Sequence, residues 1–154
     1  KPKLLILDEP TTGLDPQVRH AIWDKVRSLM HQGLTVLLTT HYMEEAFQLC
    51  DTIAIMHTGT KIIEGNPHRL VEKNMERFVL EVLEKEAFQR VEERVGTGGI
   101  RVDRTQEHTY LYADSMEALK PLTDALDPGA FYMRQSNLED LFLKTTGRGL
   151  NEAQ

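Results

Sequence analysis

At 154 residues, with 40% hydrophobic and 27% charged side chains, the chain has the size and composition of one ordinary globular domain or two small ones. Its formal net charge of -6 argues against a general nucleic-acid binder, whose footprint is a basic surface. No apolar run approaches the roughly 18 to 20 residues that cross a bilayer, and no signal-peptide pattern is present. The single cysteine, Cys50, leaves no partner for an intrachain disulfide. Set among Phe47, Leu49 and Ile53, it reads as a small buried apolar residue and suits a reducing cytoplasm. The six histidines form no recognisable metal-ligand set.

The sequence opens on Lys1 rather than Met, which leads us to expect further sequence upstream. Leu4 to Leu7 is a short apolar run ending in two carboxylates, which suits a parallel strand buried on both faces, although periodicity alone also allows a buried helix. Gly13 marks a turn. Asp15-Pro16 then predicts an N-cap followed by proline at the first helical position. Val18, Ile22, Val26, Leu29 and Met30 recur at helical spacing, with Gly33 as the stop. Leu34 to Thr39 is a second buried strand, so the order is strand, crossover helix, parallel strand.

Residues 43–50 predict a short helix, and 52–57 with 61–64 an antiparallel hairpin about Thr58-Gly59-Thr60. Asn66-Pro67 opens a helix to about Lys73. Two doubly buried strands and a hairpin do not complete a doubly wound sheet. The missing strands are therefore expected upstream of Lys1 or from a second chain, and the chain alone is expected to self-associate through uncovered apolar surface.

From about Met75 the pattern changes. Residues 77–83 alternate as a strand, 86–95 form an amphipathic helix, and 96–99 turn into a strand over 100–103. A strand over 109–113 follows. Ser115 caps a helix carrying Met116, Leu119, Leu122 and Leu126, and Asp127-Pro128-Gly129 turns into a strand over 130–133. A helix over 137–145 ends the pattern. The order βαββαβ with an appended helix predicts a ferredoxin-like domain. Gly96 to Gly99 lacks a lysine and a following helix, so it reads as a turn and not a phosphate cradle.

In open α/β sheets ligands bind beyond the carboxyl ends of the strands, where Asp8, Glu9 and His41 all fall. The blocks Leu4-Leu5-Ile6-Leu7-Asp8-Glu9-Pro10, Thr11-Thr12-Gly13-Leu14-Asp15-Pro16 and Thr39-Thr40-His41 resemble, in order and spacing, the Walker B motif, D-loop and switch-histidine loop of ATP-binding cassette ATPases. The resemblance implies an ATP- and Mg²⁺-dependent site. In it Asp8 holds Mg²⁺ through water, Glu9 serves as general base or water-positioning group, and His41 contacts the γ-phosphate. It also implies that Asp15 reaches across a head-to-tail homodimer to the partner's phosphate-binding loop. Local sequence also allows Asp15 to be an N-cap alone, and one residue can serve both ends. Thr11, Thr12 and Thr40 fit polar contacts at the site and simple loop solvation equally well. Trp23, one position off the apolar stripe, reads as a packing residue.

The chain contains neither a G-x-x-x-x-G-K-[ST] loop nor the family's Leu-Ser-Gly-Gly-Gln signature. In the family both precede Walker B, so they are expected upstream, and the chain by itself is expected neither to bind ATP tightly nor to hydrolyse it. The segment from Asn137 to Arg148 resembles the C-terminal ending of ATPases serving ABC-2 type exporters. Lys144, Arg148 and the exposed acids read as a solvated face.

The resulting expectation is an incomplete P-loop NTPase domain of α/β class over 1–74, followed by a ferredoxin-like accessory domain over 75–154. By resemblance it is a peripheral subunit on the inner, cytoplasmic face of the membrane, driving export through a separate membrane-spanning subunit. A cassette ATPase acting on DNA or ribosomes is the alternative, and a non-enzymatic regulatory or dimerisation module a third. The acidic balance, the lack of coiled-coil heptads and the block from His41 to Pro67 favour transport.

Overall fold

The computed structural model describes residues 2–96 and 99–147, so Lys1, the centre of the expected Gly96–Gly99 turn, and Arg148 lie outside the described residues. The chain is mixed α/β and divides between His68 and Arg69 into two compact units.

In the first unit, strand β1 (Leu4–Asp8) pairs in parallel with β2 (Thr35–Thr39), with Leu4 opposite Thr35 and Asp8 opposite Thr39. Helix α1 (Pro16–His31) makes the crossover. Asp15 caps it, Oδ1 accepting from the Val18 amide at 3.0 Å, and Pro16 occupies the first turn, where no amide donor is needed. Gly33, at a φ of 87°, lets the chain reverse after the helix while its amide donates to the Met30 carbonyl at 2.9 Å. Trp23 and Val26 of α1 pack with Leu49 of α2 (Met43–Leu49), joined by Leu7, Val36, Leu38 and the half-buried Cys50. Burial, and after it the Glu45 and Asp51 carboxylates, push the Cys50 thiol up.

No described element covers the other face of this two-stranded sheet. Ile6 is 66% exposed and Leu37 58% exposed, the uncovered apolar surface expected of this chain taken alone, while Leu5, Leu7, Val36 and Leu38 on the side that α1 covers are half-buried. A hairpin of β3 (Ile53–His57) and β4 (Thr60–Gly65) completes the unit. Its two-residue turn places Thr58 and Gly59 at φ values of 46° and 76°, the double positive φ that matches the twist of paired strands. Helix α3 (Pro67–Asn74) follows.

The second unit is an antiparallel sheet in the order β6-β7-β5-β8, built from β5 (Phe78–Val82), β6 (Arg101–Arg104), β7 (Thr109–Ala113) and β8 (Phe131–Gln135). Helix α4 (Lys85–Val91) joins β5 to β6, α5 (Met116–Thr123) joins β7 to β8, and α6 (Leu138–Thr146) ends the described chain. Leu80, Val82, Leu111 and Ala113 form one core with Phe88 and Val91 of α4 and Leu119 and Leu122 of α5. The helix expected over 86–95 stops as an α-helix at Val91 and continues as a 3₁₀ turn, Glu92–Arg94. Helices commonly tighten into a 3₁₀ turn at their C-terminal end.

Asp140, in the first turn of α6, is 2% exposed. It forms a reciprocal cap with Asn137: its amide donates to Asn137 Oδ1 at 3.0 Å and its Oδ2 accepts from the Asn137 amide at 2.9 Å. Tyr112 Oη donates to Oδ1 at 2.9 Å, and the Arg134 guanidinium donates to both oxygens at 2.6 and 3.0 Å. Burial alone would raise the Asp140 carboxyl. The bonds from Arg134, the Asn137 amide and Tyr112 outweigh burial and hold it below the usual carboxylate range. A depressed folded value contributes stability above the unfolded value that is lost as pH falls through the folded one. We expect Asp140→Asn to lose about 2 kcal/mol at neutral pH in denaturant unfolding. The deficit should shrink as pH falls and the wild-type carboxyl protonates, and a pH-independent deficit would contradict this reading.

Candidate functional site

Parallel pairing sets the site. Because Asp8 lies opposite Thr39, the residues leaving the two strands emerge side by side. The Thr39 hydroxyl donates to Asp8 Oδ1, and the Glu9 amide donates to the Thr39 carbonyl at 2.9 Å. His41 Nδ1 then lies 3.1 Å from Glu9 Oε1, with the two side chains 54% and 45% exposed. Thr12 holds the other oxygen, its hydroxyl donating to Glu9 Oε2 at 3.0 Å. A carboxylate and an imidazole are thus in contact at an open strand end, with a second carboxylate one residue away. Such a set can accept a proton, orient a water and donate to an anion.

Glu9 adopts a φ of 45°, in the left-handed region that side-chain-bearing residues seldom enter. Strain of that kind persists only where the surroundings hold it, and it concentrates at functional sites. Asp15 lies elsewhere. It caps α1, and no contact with Glu9 or His41 joins it to them among the described residues.

Several residues around the site were not singled out as contributing to it. Thr39 is the hydroxyl partner of Asp8, a role that follows from register once the strands are aligned. Tyr42 stacks on His41 with ring centroids 4.3 Å apart, and its other neighbour is the Arg19 guanidinium, 4.4 Å from the ring centroid. Arg19 also donates to the Leu14 carbonyl at 3.4 Å, tying the loop before α1 to the loop after β2. Thr11 is fully buried, which decides against loop solvation for that residue, and Trp23 packs in the core as expected while its indole also donates to Glu45.

Residues 81–147 match the family described as Nodulation factor export protein NodI, C-terminal domain. Beyond that match, nearly the whole chain is similar in sequence to proteins named as Nod factor export ATP-binding protein I. Among its relatives is the Nod factor export ATP-binding protein I of Rhizobium meliloti, 42% identical over 98% of this chain and 45% of the relative. Its counterparts in Sinorhizobium fredii and Burkholderia orbicola are each 41% identical over 98% of this chain, and over 44% and 49% of their own lengths. The chain therefore spans a little under half the length of these curated relatives. Partial likeness extends to a solved ATP-binding subunit of an ABC transporter, with 33% identity and a TM-score of 0.42 over 47% of this chain and 30% of that one. The solved cbiO1 of Clostridium perfringens shares 33% identity at a TM-score of 0.43, over 60% and 33% of the two chains.

The cap on α1 can be tested apart from any chemistry. Asp15→Ala should cost about 1 kcal/mol of stability in thermal or denaturant unfolding, whereas Asp15→Asn, which keeps the accepting oxygen, should cost a few tenths at most. Equal losses from both would mean that charge and not the cap bond matters there.

Proposed function

We propose that this chain supplies the hydrolytic strand ends of an ATP-binding subunit that drives an ABC exporter. The contact between Glu9 and His41 at adjacent ends of parallel strands carries the reading. Glu9 accepts the proton of the attacking water, His41 donates to the γ-phosphate and to the charge that grows on it, and Thr12 and Thr39 keep the loop in place. Phosphoryl transfer depends chiefly on such positioning.

Mg²⁺ fits the residues present. Among the described residues no three His, Cys, Asp or Glu side chains converge as a metal cage. The ion is usually held by one or two carboxylates, with water and substrate phosphates making up the rest, and Asp8 supplies a carboxylate of that kind at the strand end. When bound, the ion would supply positive charge against the phosphate oxygens. Asp15, which caps α1, also faces the partner subunit's phosphate-binding loop in a head-to-tail dimer of ATPase subunits.

The residues to 74 then form part of a P-loop NTPase domain, and those from 75 a ferredoxin-like domain. The antiparallel order β6-β7-β5-β8 with helices α4 and α5 as connections supports the second assignment. That domain regulates the ATPase or contributes to its dimer. The subunit lies on the inner face of the membrane and works through a membrane-spanning partner. No described helix is long and apolar enough to cross a membrane, and the relatives' name gives export as the direction.

Glu9→Gln in the full-length protein should lower ATP turnover by about 10²- to 10⁴-fold while leaving ATP binding intact. His41→Ala should also slow turnover without abolishing binding. Wild-type turnover in Glu9→Gln would overturn the assignment.

A further inference from the structure

Glu45 is fully buried, which is unusual for a carboxylate without a cationic partner. Its Oε1 accepts two bonds, from the Thr11 hydroxyl at 2.9 Å and from Trp23 Nε1 at 3.0 Å. Its Oε2 is equally buried and has no partner among the described residues. For stability alone an apolar side chain of similar volume would do as well or better at such a position. What the carboxylate adds is connection: Thr11 lies two residues beyond Glu9, and Glu45 lies four residues beyond His41, on α2.

We propose that Glu45 is a positioning residue for the Glu9–His41 pair. It anchors the loop that follows Glu9, through Thr11, to the helix that follows His41, and Trp23 fixes the anchor to α1. The strained backbone at Glu9 is thereby held from both sides. On one side its amide donates to the Thr39 carbonyl, and on the other the chain is pinned at Thr11 to a buried acceptor. Releasing Thr11 frees Glu9 to relax toward ordinary φ values and carries its carboxylate away from His41. This rests on the reading of Glu9 and His41 as the hydrolytic groups.

The test measures kcat, KM for ATP and melting temperature in the full-length protein for Glu45→Ala, Glu45→Gln and the near-isosteric Thr11→Val, beside Glu9→Gln and His41→Ala. A displaced catalytic group lowers the rate of the chemical step without weakening substrate binding. Thr11→Val and Glu45→Ala should therefore reduce kcat about tenfold or more at an unchanged KM. Glu45→Gln, whose amide oxygen can still accept both bonds, should recover most of that loss. Should Glu45→Ala fail to fold, Thr11→Val decides. Wild-type kcat in Thr11→Val, or a Glu45→Gln as slow as Glu45→Ala, overturns the positioning role while Glu9→Gln and His41→Ala remain impaired. Full turnover in those two variants overturns instead the functional reading beneath it, and the proposal with it.

Discussion

The pairing of β1 with β2 in parallel register is the constraint on which the site depends. Asp8 opposite Thr39 fixes where each strand ends, and so fixes that Glu9 and His41 leave the sheet as neighbours. A slip of one residue would turn every side chain of a strand to the opposite face and separate the pair. The register is held by the packing of α1 against Leu7, Val36 and Leu38 on one face alone. Hydrophobic burial therefore helps to position the polar groups at the strand ends.

Two loops then convert a strand edge into a site. The first carries Glu9 in a left-handed conformation and reaches the cap of α1 at Asp15. The second carries His41 into α2. Their mutual attachments run through Thr39, through the Thr11–Glu45–Trp23 cluster, and through Arg19 between Leu14 and Tyr42. Strained backbone at Glu9 costs on the order of 1 to 3 kcal/mol, which such attachments must offset. These attachments hold an exposed carboxylate–imidazole pair in a fixed arrangement.

Local chemistry was legible in the sequence and long-range chemistry was not. Asp15-Pro16, Gly33, Thr58-Gly59 and Ser115 each act on backbone within a few residues, and each stands at the turn or cap its residue type predicts. The strand ends bearing Asp8, Glu9 and His41 were legible for the same reason, as short apolar runs that stop at polar residues. Glu45 was not, because an acid in the first turn of a helix reads as solvated. Its burial is made by Thr11 and Trp23, which are 34 and 22 residues away. Asp140 was hidden likewise by Tyr112 and Arg134, brought to it by sheet and helix together. The exposed face carrying Ile6 and Leu37 was legible as well, because two apolar strands without elements to cover both faces leave apolar surface uncovered.

Where ATP sits is the most direct test of Glu9 and His41 as hydrolytic groups. A structure of the full-length protein bound to Mg²⁺ and a non-hydrolysable ATP analogue should place the γ-phosphate against His41. Glu9 should lie within one water of the phosphorus, and Asp8 should meet the ion through its hydration shell. A γ-phosphate bound away from the ends of β1 and β2, with Glu9 still paired to His41 and facing solvent, would contradict it.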